Sequence, residues 1–344
     1  MTIDTPNPSF GPRSIRTTLL LVTIGVVVAL VIRTVVRPDF GSDVLATEAP
    51  ATPESGRTYL IAPIELNDLL TSDANAVTLL DLSAMSTYEN GHLPGAIHAW
   101  WQDGMDPYAD SYGQLLAVTS GRQSRAAWFR SLGIDPDREV VVYDDARGAH
   151  AARMLFILNY IGFTNVRVLD GGLDAWKRAG YAVATGNVEA PEVAQLKADL
   201  QDTWLITTND LAADLEDPEL AIVDVRTDDE RDDDLNGTIR TGMIPGSISL
   251  PWTAVLQEGS SLMLGDDDLA TLFSETIGDP TREIVLYGEF GMDTAIVWLA
   301  LREAGYTNVR IYDEGWATWG KHDELPIAEI DSSSQGRRAR YSLR

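Results

Sequence analysis

Short apolar runs rich in Val, Ile and Leu alternate with longer runs of helical period from residue 77 onward, and the whole alternation occurs twice. VTLLDL (77–82), EVVVYD (139–144) and VRVLDG (166–171) predict strands. Their nearly continuous apolar character predicts burial on both faces, as in a parallel sheet. AARMLFILNYIG (151–162), closed by Gly162, and LDAWKRAG (173–180) predict helices. The same order returns as LAIVDV (220–225), EIVLYG (283–288), TAIVWLALREAG (294–305) and VRIYDEG (309–315). The expected fold class is α/β, as two tandem domains, each a mostly parallel sheet with helices on both faces.

The duplication is legible in identities as well. Thr-Asn-Val-Arg stands at 164–167 and again at 307–310. A shift of 143 positions pairs Asp81 with Asp224, Gly148 with Gly291, Asp170 with Asp313, Gly172 with Gly315 and Trp176 with Trp319. Matches this dense at one offset indicate two copies of one domain. The expected domains are 58–185 and 192–328, separated by a linker-like stretch from Gly186 to Pro191 and followed by a tail, 329–344.

A different pattern opens the chain. LLLVTIGVVVALVI (19–32) is one apolar run with Arg13 and Arg16 before it and Arg33 and Arg37 after it. As a helix extended to Val36 it would be about 27 Å long, close to the hydrocarbon thickness of a bilayer. This predicts a single transmembrane helix over 18–37, preceded by a cytoplasmic segment, 1–17, and followed by a Pro-, Ala-, Thr- and Ser-rich linker, 38–57. The alternative is a cleaved secretory signal, with small residues for a cut around Ala46. The first reading anchors the protein in the cell membrane with both repeats extracytoplasmic; the second secretes it.

Charge narrows the partners. The chain carries 26 Lys and Arg against 52 Asp and Glu. Four arginines fall in the first forty residues and four in the last eight, which leaves 18 basic against 50 acidic side chains over 41–336. A body so acidic repels nucleic acid, which is bound through basic patches that release counterions. There is no cysteine. Together with four histidines at 92, 98, 150 and 322 that lack ligand spacing, this gives no expectation of a metal or a cofactor.

Several motifs resemble the rhodanese family of sulfurtransferases. GHLPGAI (91–97) and GMIPGSI (242–248) are similar to its G-H-I-P-G-A element, and Asp81 and Asp224-Val225-Arg226 to its preceding D-x-R strand end. VVVYDDARGAHAAR and VLDGGLDAW resemble the catalytically silent first half of a tandem sulfurtransferase. IVLYGEFGMDTA and IYDEGWATW resemble the second half, whose family form reads Y-C-x-x-G-x-x-A. The resemblance covers about 60–325 and implies that a loop cysteine should carry sulfane sulfur from thiosulfate or mercaptopyruvate to a thiophilic acceptor.

The chemistry needs a soft thiolate, activated by loop N–H groups at a helix N-terminus. Here Gly288 follows Tyr287, and the whole loop Gly288, Glu289, Phe290, Gly291, Met292, Asp293 reads as degenerate. Asp144 holds the equivalent place in the first repeat. The anion-binding arginine that the resemblance implies falls on Glu230, with Arg231 beside it, so the candidate binding residues are Asp224, Arg226, Glu230 and Arg231. Carboxylates beside an anion cradle repel thiosulfate by on the order of 1 to 4 kcal/mol each. The expectation is a membrane-anchored protein of this family that lacks persulfide transfer and binds a small anion or a protein ligand. Thiosulfate or 3-mercaptopyruvate sulfurtransferase activity by a non-standard route, with a feature outside the thiol mechanism or a partner's cysteine supplying the nucleophile, is the alternative. An acid–base pair at Asp144 and Asp145, or at Glu289 and Asp293, is a weaker reading. Asp170 and Asp313 are expected to tie the loops that follow them, and Trp176 and Trp319 to be core.

Overall fold

A computed structural model of the chain describes residues 58–100, 128–135, 138–191, 193, 202–232, 239–289 and 291–329. The expected anchor, its flanking segment, the linker to Arg57 and the tail from 330 lie outside the described residues, as do Trp101 and Phe290. Among the described residues no helix is long and apolar enough to cross a membrane.

The first repeat runs β1 (Leu60–Ile61), α1 (Pro63–Ser72), β2 (Val77–Asp81), α2 (Met85–Asn90), β3 (Ile97–His98), β4 (Glu139–Tyr143), α3 (Ala149–Tyr160), β5 (Val166–Leu169) and α4 (Gly172–Arg178). Its five strands are ordered β1-β5-β4-β2-β3 and all pair in parallel. The second repeat runs α5 (Thr208–Ala213), β6 (Leu220–Asp224), α6 (Asp228–Asp232), β7 (Ile248–Ser249), α7 (Asp266–Thr276), β8 (Glu283–Tyr287), α8 (Gly291–Glu303), β9 (Val309–Ile311) and α9 (Gly315–Trp319). Its sheet, β7-β6-β8-β9, is again parallel. The counterpart of β1 is reduced to a single parallel bridge from Leu205 to Ile311.

The strands are buried on both faces, as their composition predicts. In the first sheet Leu80, Val140 and Val142 turn to one apolar cluster, while Leu79, Val141 and Tyr143 turn to another. The cluster on the inner side is shared: Leu155, Phe156 and Leu158 of α3 lie in the same core as Trp298, Leu299 and Leu301 of α8. A helix apolar all round must be covered all round. That is why α3 and α8, the two such helices, pack on each other and join the repeats through one core.

Both helices end in the same way. Gly162 and Gly305 have positive φ, and the amides of Phe163 and Tyr306 return to the carbonyls of Leu158 and Leu301. This closure needs a left-handed residue just past the helix, which glycine adopts without strain. The helices start two to three residues earlier than the apolar period suggests, at Ala149 and Gly291; before the first, the Gly148 carbonyl accepts from the Ala152 amide at 2.8 Å.

Candidate functional site

The loop between β8 and α8 sits where a parallel sheet delivers its strand ends to helix N-termini. Its carbonyls are held from α9: the amide of Trp316 donates to Gly288 O at 2.8 Å, and that of Ala317 to Glu289 O at 3.1 Å. Thr294 Oγ1 donates to Gly291 O at 2.7 Å. Gly291 is needed at its place, since a Cβ there would lie 2.1 Å from Asp313 Oδ1 and 3.1 Å from Arg153 Nη1.

Asp224, fully buried at the end of β6, gathers the candidate binding residues. Its Oδ1 accepts from Arg226 N (3.1 Å) and Nε (3.0 Å), and its Oδ2 from Arg226 Nη2 (2.8 Å) and Tyr287 Oη (2.9 Å). Arg226 also donates to Gly242 O at 2.7 Å, approaches Glu289 Oε2 at 3.5 Å, and lies 4.6 Å above the Trp316 ring. Arg231 is likewise engaged, with Asp228 at 2.9 Å, Asp224 at 3.5 Å, the Arg226 carbonyl at 2.7 Å, and Ser249. The two arginines face inward, and each has carboxylates around its guanidinium.

Glu230 has taken up a local task. Thr227 Oγ1 lies 3.3 Å from the Glu230 amide, and Glu230 Oε2 accepts from Thr227 N at 2.6 Å and Oγ1 at 2.9 Å. This reciprocal arrangement is a capping box on α6. The same carboxylate faces Asp293 in the first turn of α8. Burial first, and the Glu230 charge second, push the Asp293 carboxyl up to about 7. Among the described side chains, Asp224, Asp228, Glu230, Glu289 and Asp293 thus stand against Arg226 and Arg231 around this loop.

Among the described residues, the hydroxyls nearest the loop are engaged. Thr294 is fully buried and donates to the backbone. Burial, and then the Asp224 charge, raise the Tyr287 phenol far above its ordinary range.

The equivalent loop of the first repeat, between β4 and α3, is filled from within. Asp144 Oδ1 accepts from the amides of Ala146 (2.9 Å) and Gly148 (2.8 Å), and Oδ2 from that of Ala151 (2.8 Å). Both oxygens are therefore engaged by the loop, which leaves the Asp144–Asp145 acid–base reading without support; Asp145 itself accepts from Thr87. Arg147, with a positive φ of 58°, reaches the second repeat, donating to Ser260 O at 3.2 Å and lying 5.4 Å from the Trp252 ring.

Asp170 and Asp313 each make a tie across the repeats. Asp170 Oδ1 accepts from the amide of Met263 at 2.9 Å, and Asp313 Oδ1 pairs with Arg153 Nη2 at 2.5 Å. Arg153 was not singled out by the motifs. Its one signal is a charge in the middle of the apolar run of α3. Arg153 and His150 line a cavity of about 10 Å³ with Leu82, Trp128, Met154, Ile157 and Met292, room for no more than one water.

His92 is buried and stacked on Tyr88, His98 Nε2 donates to the Ser83 carbonyl at 2.9 Å, and His322 is exposed beside Glu324. Among the described residues no group of His, Asp and Glu could hold a metal ion. Trp176 and Trp319 are core, as expected, with their Nε1 groups donating to Ala182 O and Pro326 O.

Comparison with known proteins accords with this geometry. The family model described as "Rhodanese-like domain" matches residues 62–179 and 207–322. The chain is 29% identical over 254 residues to the 3-mercaptopyruvate sulfurtransferase of Escherichia coli strain K12, covering 73% of this chain and 88% of that protein. It is 29% identical over 256 residues to a thiosulfate sulfurtransferase of Pseudomonas aeruginosa, covering 74% and 92%. The crystal structure of SseA from Escherichia coli, described with the fold and mechanism of 3-mercaptopyruvate sulfotransferases, superposes with a TM-score of 0.66 at 25% identity, covering 75% of this chain and 99% of that one.

Proposed function

The chain belongs to the rhodanese family, and from that premise we propose that it is a membrane-anchored member that has lost persulfide transfer and acts as a binding or regulatory module. One observation carries the reading: Gly288 stands where the sulfur-carrying cysteine would be, in a chain of 344 residues with no cysteine. A sulfur adduct needs a thiolate to receive it, and no hydroxyl nearby forms one of comparable stability. The anchoring helix over 18–37, and with it the extracytoplasmic position of the repeats, belongs to the same proposal and rests on the apolar run and its arginine flanks.

A protein ligand is favoured over a small anion. Arg226 and Arg231 are committed to carboxylates within the chain, and Glu230 and Glu289 add negative charge around the loop, where burial together with the Glu230 charge holds the proton on Asp293 up to about pH 7. An incoming anion would have to displace one carboxylate while opposing the others.

The test is production of thiocyanate from thiosulfate and cyanide by the purified full-length chain in detergent, with mercaptopyruvate as a second donor. Output is expected at the level of a buffer blank. Turnover above it would defeat the proposal and turn attention to the route in which another protein's cysteine supplies the nucleophile. Gly288→Cys is the companion: it is expected to restore a thiol but little turnover, because the charges remain. Thiocyanate from that variant at the rate of an intact family member would show that the carboxylates are not an obstacle.

A further inference from the structure

Helix α8 carries the degenerate loop at its N-terminus, and its other end is fastened to the beginning of the first repeat. The Glu303 carboxylate accepts from the amides of Thr58 at 3.2 Å and Tyr59 at 2.6 Å, residues about 245 positions away. Beside it, the Arg302 guanidinium lies 6.0, 5.7 and 5.5 Å from the rings of Tyr59, Trp204 and Trp298, and it donates to Tyr59 Oη at 3.3 Å and to Thr307 O at 3.0 Å. A cation shared among aromatic faces and a carboxylate taking two backbone amides are both directional contacts, so residues 58–59 are fixed in place and not merely covered.

Tyr59 belongs to the first sheet at the same time, since its carbonyl accepts from Val168 N and Leu60 pairs with Val168. Midway along α8, Trp298 meets Phe156 of α3 edge to face at 5.1 Å. At its N-terminal end, Gly291 abuts the Asp313–Arg153 pair, again between repeats. A 13-residue helix is about 20 Å of stiff element. Contacts at both of its ends to the other repeat make it a rod, not a surface decoration.

We propose that α8 couples the beginning of the first repeat to the degenerate loop of the second, so that a displacement of residues 58–59, held by Arg302 and Glu303, is felt at Gly288 and Glu289. Packed side chains, hydrogen-bond networks and rigid secondary elements are what can carry coupling between separated places in a fold, and α8 joins all three. The device does not depend on the absence of sulfur chemistry.

Hydrogen exchange of the full-length chain tests it. The amides of Trp316 and Ala317 donate to Gly288 O and Glu289 O and so report on the loop. In Glu303→Ala, exchange is expected to rise at least about tenfold both at 58–61 and at Trp316 and Ala317, with the central amides of β8 unchanged. Glu303→Gln keeps one accepting oxygen and is expected to give a smaller rise at both places. A rise confined to 58–61 in either variant, no rise at all, or an equal rise throughout β8, which would mean general loosening, overturns the proposal. Should the alanine variant fail to fold, the glutamine variant decides by the same criteria.

Discussion

The β4–α3 loop and the β8–α8 loop are built on the same strand and helix frame, and they differ in where their negative charge sits. In the first, Asp144 occupies the centre of the loop and takes three of its amides. In the second, Gly288 leaves the centre without a side chain, Glu289 next to it approaches Arg226, and Glu230 acts on Asp293 in the first turn of α8. The first loop has internalised its anion, and the second sets its carboxylates against the arginines beside it. Under the proposed function, the missing cysteine goes together with a loop whose charges disfavour a persulfide anion, and restoring the thiol alone is expected to leave those charges in place.

The two cross-repeat aspartates offer the sharpest way to break the comparison. Asp313 meets a buried guanidinium and Asp170 a backbone amide, so Arg153→Met should cost about 3 to 5 kcal/mol by leaving a carboxylate uncompensated, against about 1 kcal/mol for Asp170→Asn. Urea unfolding of both variants checks the ranking; equal costs would mean that the repeats are held by the shared apolar core alone. Next in size, Asp144→Ala should cost about 2 to 3 kcal/mol because three loop amides lose their acceptor. If the same measurement shows no loss, the first loop does not depend on its internal anion.

The second loop should reveal itself through pH. Asp293 in the unfolded chain releases its proton near 4, whereas in the fold it keeps it to about 7. Between those values the folded state binds more protons than the unfolded one, so the contribution of this group to stability falls as pH rises from 4 to 7 and is lowest above 7. The span is on the order of a few kcal/mol at most, since Asp293 is only partly buried. Asp293→Asn should remove that slope, and a pH profile unchanged by the substitution would refute the assignment. Smallest is the capping box: Glu230→Ala should cost about 1 kcal/mol through α6 and also draw the Asp293 pKa downward, visible as a slope confined to lower pH.

Much of the frame was legible without coordinates. Strands such as EVVVYD and EIVLYG could be placed because burial on both faces leaves no room for polar positions, and Gly162 and Gly305 mark helix ends because only glycine closes them cheaply. Gly288, the empty place in the site, was visible as soon as the motif was aligned. Arg226 and Arg231 were less readable. Their identities suggested anion binding, but the side-chain directions commit them to Asp224, Asp228, Glu289 and backbone carbonyls. Glu230 likewise reads as a lost arginine in the motif and as a helix cap in the fold.

The order of elements, the duplication and the absence of any thiol were set by the amino-acid sequence alone, because each follows from local period or from composition. Which partner each charged residue takes was decided only by the tertiary structure. Arg153 meets Asp313, Asp170 meets the Met263 amide, and Glu303 meets Thr58 and Tyr59 across 93 to 245 positions. No local pattern encodes such pairings, since they exist only once α3 and α8 have packed into one core and excluded the water that would otherwise satisfy those groups.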